Sequence, residues 1–312
     1  MPKVSIIITT HSRPRLLPRA VESARLSCSD AEVVVVDDAS TDETAEVCRA
    51  LPGIRYVRVE RNRGVAGARN VGLLASAGEY LSFLDDDDER LPGSLDAQVL
   101  RLEAAPRAAL VYGQALVVGG GATDEMVYPA ACPQGDLFWE LLEQNFIPCG
   151  SALFRRSCLP RAGLLEESVP GIDDWDLWVR LAESFDVLAT ERPVFRWRRS
   201  SPGSGQGSSS GARMVRMAVR QFRGRWMRLG RAALAPRALR DEAWRAFSGG
   251  MARHLVCEAA RAQAEGETRV AVENIYTAAR LLPLAVLRMP FDRRRLRAVL
   301  GRPKSPEPAK RV

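Results

Sequence analysis

The apolar positions near the start of the chain come in unbroken runs rather than in alternation. "VSIIITT", Val4 to Thr10, is one; residues 32–36, "EVVVV", are a second. A continuous apolar run of strand length predicts burial on both faces, as in a parallel sheet covered by helices. "IRYVRVE" alternates and predicts a third strand, and "EYLSFLD" a fourth. Between them the period changes. Leu16, Leu17, Ala20, Val21 and Ala24 recur at helical spacing in "RPRLLPRAVESARL". "STDETAEVCRAL" opens on Ser40 with Glu43 three residues later, which predicts a capping box with Ser40 as N-cap. "GVAGARNVGLLASAG" predicts a helix of small residues ending at Gly78. The order βαβαβαβ predicts an α/β fold with a doubly wound, mostly parallel sheet and right-handed crossovers.

In such sheets ligands bind at the carboxyl ends of the strands. Those ends are where the polar residues collect: Thr9, Thr10 and His11 after the first strand, Asp37 and Asp38 after the second, Asp85 to Asp88 after the fourth. Downstream, "ALVYGQALVV", "SALFRR" and "VLATERPVFRWR" read as strands and "DDWDLWVRLAES" as a helix. "SSPGSGQGSSSG" predicts a flexible break, followed by helical patterns to about Leu300 and a polar tail expected to be disordered. The expected organisation is an α/β domain over residues 1–200, in two halves that meet at about residue 90. A linker at 201–211, a basic helical region at 212–300 and the tail at 301–312 complete it.

Composition narrows the class. With 312 residues, 46% hydrophobic and 27% charged, the chain has the makeup of a soluble globular protein. No stretch is long and apolar enough to predict a membrane span, and the N-terminus does not read as a signal peptide. The six cysteines form no CxxC pair and there are two histidines, so a zinc site is not expected. Reduced, mostly buried thiols and a cytoplasmic setting are.

Four adjacent carboxylates repel one another unless neutralised. On extended backbone Asp85 and Asp87 project to one side, an arrangement suited to a hard divalent cation, Mg²⁺ or Mn²⁺. No GxGxxG follows the first strand, so the dinucleotide-binding reading fails. A carboxylate at Asp37 or Asp38 can accept from a ribose hydroxyl or a base N–H, or can cap the following helix. Arg69, near the start of a helix whose N-terminus points at the pocket, can reach a base or a diphosphate, or lie on the surface. Asp174, beside Asp173 at a helix start, is either a general base or an N-cap. Trp175 and Trp178 are either a sugar platform or core, with Trp178 the better core residue.

"VSIIITTHSRP", "VVVVDDASTDET", "NRGVAGARNVGL", "GEYLSFLDDDDERLP", "CGSALFRR" and "DDWDLWVRLA" occur in that order. Together they resemble a family 2 glycosyltransferase of the GT-A fold over about residues 2–199. The resemblance implies an inverting enzyme that moves a sugar from a nucleotide-sugar donor, a UDP-sugar first, to an acceptor hydroxyl with a divalent metal. It implies Thr9 and His11 lining the nucleobase, Asp38 pairing with uracil beside Asp37, and Arg69 on the nucleotide. It implies Asp85, Asp86 and Asp87 as the DxD-type region, Asp87 being the metal ligand and Asp86 near the donor ribose or sugar. Asp174 matches the catalytic base. The family's Tyr-Asn pair is here His11 and Ser12, and its histidine after the last strand is absent, so Arg198 or Arg199 is expected on the diphosphate.

From Arg192 to Arg240 there is no Asp or Glu, and Arg213, Arg216, Arg220, Arg223 and Arg228 recur at helical spacing among Met214, Met217, Phe222, Trp226 and Leu229. This predicts either a membrane-surface helix serving a lipid-linked acceptor or a packed helix with a solvated arginine face. Nucleic acid ranks below both. "EGETRVAVENIYTAARLLP" resembles the second helix of a tetratricopeptide-like hairpin. The enzyme reading, in synthesis of a cell-surface polysaccharide or glycolipid, stands against a non-catalytic nucleotide-sugar-binding or scaffolding protein and, last, a nucleotidyltransferase.

Overall fold

The computed structural model describes residues 1–119, 126–198 and 211–282. Residues 201–210 of the linker expected at 201–211, the tail at 301–312 and Arg199 lie outside the described residues, while Gly211 already begins a helix. The chain divides into two compact units, Met1–Ser208 with Gln221–Leu234, and Ser209–Arg220 with Ala235–Val312.

In the first unit the predicted alternation holds. Strands β1 (Val4–Thr10), β2 (Ala31–Asp37), β3 (Ile54–Arg58) and β4 (Tyr80–Asp85) are separated by helices α1 (Leu17–Ser27), α2 (Thr44–Ala50) and α3 (Gly64–Ala75). They pair in parallel in the spatial order β3-β2-β1-β4. Every residue of β1 is buried. On one face Ile6, Ile8, Val33 and Val35 pack with Leu17, Val21 and Ala24 of α1. On the other, α3 lies so close that a Cβ at Gly72 would stand 2.3 Å from Ile7 Cγ2.

Beyond β4 the sheet becomes mixed. After β5 (Glu89–Arg90) and α4 (Ser94–Glu103) come β6 (Ala108–Val118), β7 (Met126–Tyr128), α5 (Phe138–Glu143), β8 (Leu153–Arg155), α6 (Leu159–Ala162), α7 (Asp173–Ala182) and β9 (Asp186–Arg198). The order continues β4-β8-β6-β9-β5, with β8 antiparallel to both neighbours and β6 parallel to β9.

Two local expectations are corrected. The capping box at Ser40 does not form: α2 starts at Thr44, and Asp42 Oδ1 accepts the Thr44 N–H at 3.1 Å. Ser40 is held elsewhere, its N–H donating to Asp37 Oδ1 at 2.9 Å and its hydroxyl accepting the Ser12 N–H at 2.9 Å. Helix α3 ends at Ala75, not Gly78. The Gly78 N–H turns to Ser5 Oγ at 2.7 Å, and a Cβ there would lie 2.5 Å from the Ser5 nitrogen.

After residue 210 come α8 (Gly211–Gly224), α9 (Gly230–Leu234), α10 (Arg237–Ala264) and α11 (Thr268–Leu281). Of the region expected to be basic and helical, Gln221–Leu234 belong with the first unit. Phe222 and Trp226, the aromatics a membrane anchor would use, are 2% and 0% exposed. Arg213, Arg216, Arg220 and Arg223 do form an exposed stripe. In the second unit, Ala212 and Val215 pack with Ala252, Leu255 and Ala278, and α10 and α11 meet through Ala259, Ala262 and Ala271. Asn274, 1% exposed, accepts the Ala212 N–H at 3.0 Å. Among the described residues no helix is long and apolar enough to cross a membrane.

Candidate active site

Parallel register brings the polar strand ends into line. Thr10 is level with Asp37, Asp37 with Arg58, and Thr9 with Asp85. The loops after β1 and β2 are stitched together: the Asp38 N–H donates to Thr10 O at 2.9 Å, and His11 Nδ1 reaches Asp38 O at 2.7 Å. A carbonyl only accepts, so Nδ1 of His11 carries the proton. Ser12 and Ala39 take positive φ values of 53° and 59° here. Non-glycine residues rarely do so, and such positions collect at functional sites.

The two aspartates of β2 part company. Asp37 is 0% exposed and accepts from Ser40 N and from the Tyr56 hydroxyl at 2.9 Å, with Arg58 Nη1 3.4 Å away. Its carboxylate, expected to bind a ligand, is engaged in holding the loop. Asp38 Oδ1 accepts the Arg63 N–H at 2.7 Å at the start of α3; among the described residues Oδ2 has no protein partner. Asp38 thus presents one free acceptor beside the exposed ring of His11, with Asn62 Nδ2 3.4 Å from that ring.

The acidic run after β4 does not stay extended. The Asp88 N–H donates to Asp85 O at 3.1 Å, closing a turn that returns Asp88 to the side of Asp85 and Asp87. Ligand atoms of these three carboxylates lie within 4.8 Å of one another. Asp86 faces away: Thr10 Oγ1 donates to it at 2.6 Å and Arg13 Nη1 at 2.8 Å. Burial first raises its carboxyl, to about 6, against the pull of Thr10 and Arg13. Arg13 Nη1 also lies 3.3 Å from Asp87 Oδ2. Burial, then the charge of Asp85, pushes the Asp88 carboxyl well above the usual range, although the Arg198 N–H donates to it at 2.8 Å. Arg198 closes round the loop, with Nε 3.3 Å from Asp87 O and Nη2 3.3 Å from Glu89 Oε1.

Arg69 lies 5% exposed between two of the acidic positions. Nη2 meets Asp85 Oδ1 at 2.7 Å and Nη1 meets Asp173 Oδ2 at 3.0 Å, with the guanidinium over the Phe83 ring. It links the β4 end to the first turn of α7 rather than reaching out alone. Asp173 also accepts the Gly171 N–H at 3.2 Å. Asp174 is different. Its Oδ1 accepts the Trp175 N–H at 2.7 Å, its Oδ2 has no hydrogen bond among the described residues, and it keeps some solvent access. Burial and the neighbouring Asp173 charge raise its carboxyl to about 7, opposed by Arg69. Trp178 is core, and Trp175, 4% exposed with Nε1 donating to Leu141 O at 2.6 Å, is core as well.

Sequence reasoning thus missed Asp88, Thr10 and Arg13. The signal for Asp88 was the four-Asp run itself, but strict strand alternation excludes it until a turn intervenes. Thr10 was visible as a strand end, while Arg13 gave no signal of its own. Thr9 is 9% exposed and pairs through its backbone with Val36 and Asp85.

A family model described as "Glycosyl transferase family 2" matches residues 5–161. The chain belongs to glycosyl transferase family 2. The matched span contains His11, Asp38, Arg69 and Asp85 to Asp88 and stops short of Asp173, Asp174 and Arg198. Among curated relatives of this glycosyltransferase is the GalNAc(5)-diNAcBac-PP-undecaprenol beta-1,3-glucosyltransferase of Campylobacter jejuni. It is 37% identical over 123 residues, 38% of this chain and 39% of that one. The chain spans between 31% and 80% of the length of the first curated relatives it matches. Two solved structures share the fold. Staphylococcus aureus TarS 1-349, solved with UDP-GlcNAc, gives a TM-score of 0.64 at 15% identity, covering 91% of this chain and 82% of that one. The Pyrobaculum calidifontis mannosyltransferase PcManGT, solved with GDP-Man and Mn²⁺, gives 0.52 at 20% identity, covering 90% and 87%. The GT-A architecture expected from the sequence is therefore the fold of this glycosyltransferase.

Proposed function

We propose that this family 2 glycosyltransferase transfers a hexose from a UDP-sugar, with inversion and with a divalent metal, to a hydroxyl of a glycan or lipid-linked acceptor. The observation that carries the reading is the meeting, at one edge of the sheet, of three differently equipped sites. These are a free acceptor oxygen on Asp38, a carboxylate triad at Asp85, Asp87 and Asp88, and a raised carboxyl at Asp174.

On the donor side, Asp38 Oδ2 accepts the imide N–H of uracil while the His11 ring, fixed through Nδ1, stacks on the base. The triad fits Mn²⁺ or Mg²⁺ by its chemistry: three oxygen donors close together, one of them, Asp88, held well above its ordinary range by burial and by the charge of Asp85. Asp85, Asp87 and Asp88 would hold the ion, which when bound supplies Lewis-acid stabilisation of charge on the leaving diphosphate. Arg198, anchored on the same loop, is placed to contact that diphosphate. Asp86, turned to Thr10 and Arg13, keeps the loop in shape.

On the acceptor side, Asp174 removes the proton as the hydroxyl oxygen attacks the anomeric carbon from the face opposite the diphosphate. A carboxyl near 7 is matched to proton abstraction near neutral pH. The new bond to the acceptor oxygen forms as the bond to the phosphate oxygen breaks, so one displacement inverts the centre. The undecaprenol-linked substrate named for the C. jejuni relative supports a lipid-linked acceptor, and with it work at the inner face of the cell membrane. UDP-GlcNAc and GDP-Man on the two structural neighbours support a nucleotide-sugar donor, UDP being favoured by Asp38. The test is Asp174→Asn, expected to abolish transfer while UDP and Mn²⁺ still bind. Transfer retained by that variant removes Asp174 from the chemistry.

A further inference from the structure

Asp176, two residues after the proposed base, is 0% exposed and lies outside the stretch matched by the family. A buried carboxylate is costly unless its lone pairs are occupied. Here they are. Oδ1 accepts from Gln221 Nε2 at 2.8 Å and from Trp226 Nε1 at 2.9 Å; Oδ2 accepts from Arg180 Nε at 2.9 Å, with Arg225 Nη1 3.6 Å away. Two of these partners are neutral donors from the stretch that re-enters the catalytic unit after residue 220.

The Trp226 indole does a second thing. It is 0% exposed and its ring packs on Trp175 with centroids 5.0 Å apart. The two residues that follow Asp174 are therefore both gripped by Trp226, one through its ring and one through its N–H. The network runs further. Arg180 donates to Ala162 O and, at 2.9 Å, to Leu164 O. Leu165 exchanges two hydrogen bonds with Asn70 of α3, at 2.9 and 3.0 Å. The returning stretch thus supports the first turn of α7 and, through Arg180, the loop that leans on α3. A fully satisfied buried network has one low-energy arrangement, and withdrawing a donor releases it.

We infer that Trp226 and Gln221 are positioning residues for the reaction: through Asp176 they fix the first turn of α7, and so the place of the Asp174 carboxylate. This rests on the reading of Asp174 as the base. A displacement near 1 Å at a reacting group costs about a hundredfold in rate, without any change in donor binding. The basic stretch is in this sense part of the active site's support, whatever else its arginines meet.

The test uses the full chain and hydrolytic UDP release from UDP-GlcNAc or UDP-glucose with Mn²⁺, water taking the sugar in place of the acceptor hydroxyl, with whichever donor wild type turns over faster. Trp226→Phe keeps the ring on Trp175 and removes the N–H; Gln221→Met removes the amide. Each is expected to lower kcat by about tenfold and the pair by about a hundredfold. KM for the UDP-sugar and the thermal shift given by UDP with Mn²⁺ should stay within about twofold of wild type, a split that a general loss of structure does not produce. Unchanged kcat in a folded double variant overturns the inference, as does a parallel loss of kcat and nucleotide binding. If the double variant fails to fold, Trp226→Phe alone decides on the same criteria. Asp174→Asn is measured alongside. If it keeps turnover, the base reading falls and takes this one with it; if it is inactive while the clamp variants are normal, the positioning role alone falls.

Discussion

Two acidic runs face the same site and are built in opposite ways. Asp85 to Asp88 follow a strand and close a turn, which gathers three carboxylates and turns the fourth, Asp86, to Thr10 and Arg13. Asp173, Asp174 and Asp176 open a helix, which spreads them: Asp173 to Arg69, Asp176 to Arg180 and Trp226, Asp174 to the pocket. A turn concentrates charge where a divalent cation can neutralise it. A helix start isolates one carboxyl among neighbours that are already paired, and burial then lifts it to about 7. On the proposed reading, adjacent aspartates serve a metal in one place and proton abstraction in the other, and backbone geometry together with burial makes the difference.

The comparison predicts that the same chemical change gives different losses in the two runs. Asp174→Asn should lower transfer by about a thousandfold, the range of a lost general base, with nucleotide binding intact; steady-state kinetics beside a UDP thermal-shift assay checks it. In wild type, transfer should rise about tenfold per pH unit up to about 7 and then level, because the unprotonated Asp174 is the active form and its raised carboxyl must first lose its proton. A pH–rate profile without a rising limb in that region contradicts the assignment. Asp88→Ala should leave the base in place and weaken Mn²⁺ binding by more than about tenfold in a titration, since one of three ligands goes. Asp173→Ala strands Arg69 beside a single carboxylate. Breaking a buried pair on one side costs about 3 kcal/mol, read from denaturant unfolding, whereas Asp174→Ala, removing an unpaired acid, should cost little stability. The smallest effect is expected at Arg198→Ala, a fewfold weaker UDP-sugar KM, because Arg198 is one-third exposed and screened.

Through stability, pH acts on both runs with the same sign. The carboxyls of Asp86, Asp88 and Asp174 sit above their ordinary values, so the native state holds these protons more tightly than the unfolded chain. The metal-free protein therefore gains stability as pH falls through 7 and 6, and loses it as pH rises. Stabilisation by Mn²⁺ should be greatest above pH 7 and shrink towards pH 5.5.

How far the sequence predicted this differs between the two halves of the sheet. β1 to β4 were legible because their apolar runs have one solution, burial between helices, and because parallel strands end together. The placing of Asp38 and Asp87 at those ends was legible for the same reason. Asp37 was expected to bind beside Asp38; adjacency gives no hint that Tyr56, nineteen residues on, takes its carboxylate. Ser40 had the spacing of a cap, but the Ser12 loop competed for its hydroxyl and Asp42 was nearer to the helix. The mixed half was harder, because β8 and β9 find their partners across long separations that local pattern does not encode. Trp226 illustrates the limit. Among arginines and methionines it reads as an interfacial anchor or as a packed aromatic, and only tertiary structure shows its N–H on Asp176.

The central claim is that the strand-end carboxylates bind a metal together with a uridine nucleotide. Thermal stabilisation by UDP, GDP, dTDP and CMP, each with and without Mn²⁺, tests it most directly. The account predicts a shift for UDP that needs Mn²⁺ and is lost in Asp88→Ala. Equal stabilisation by UDP without metal, or a preference for GDP or dTDP, contradicts it.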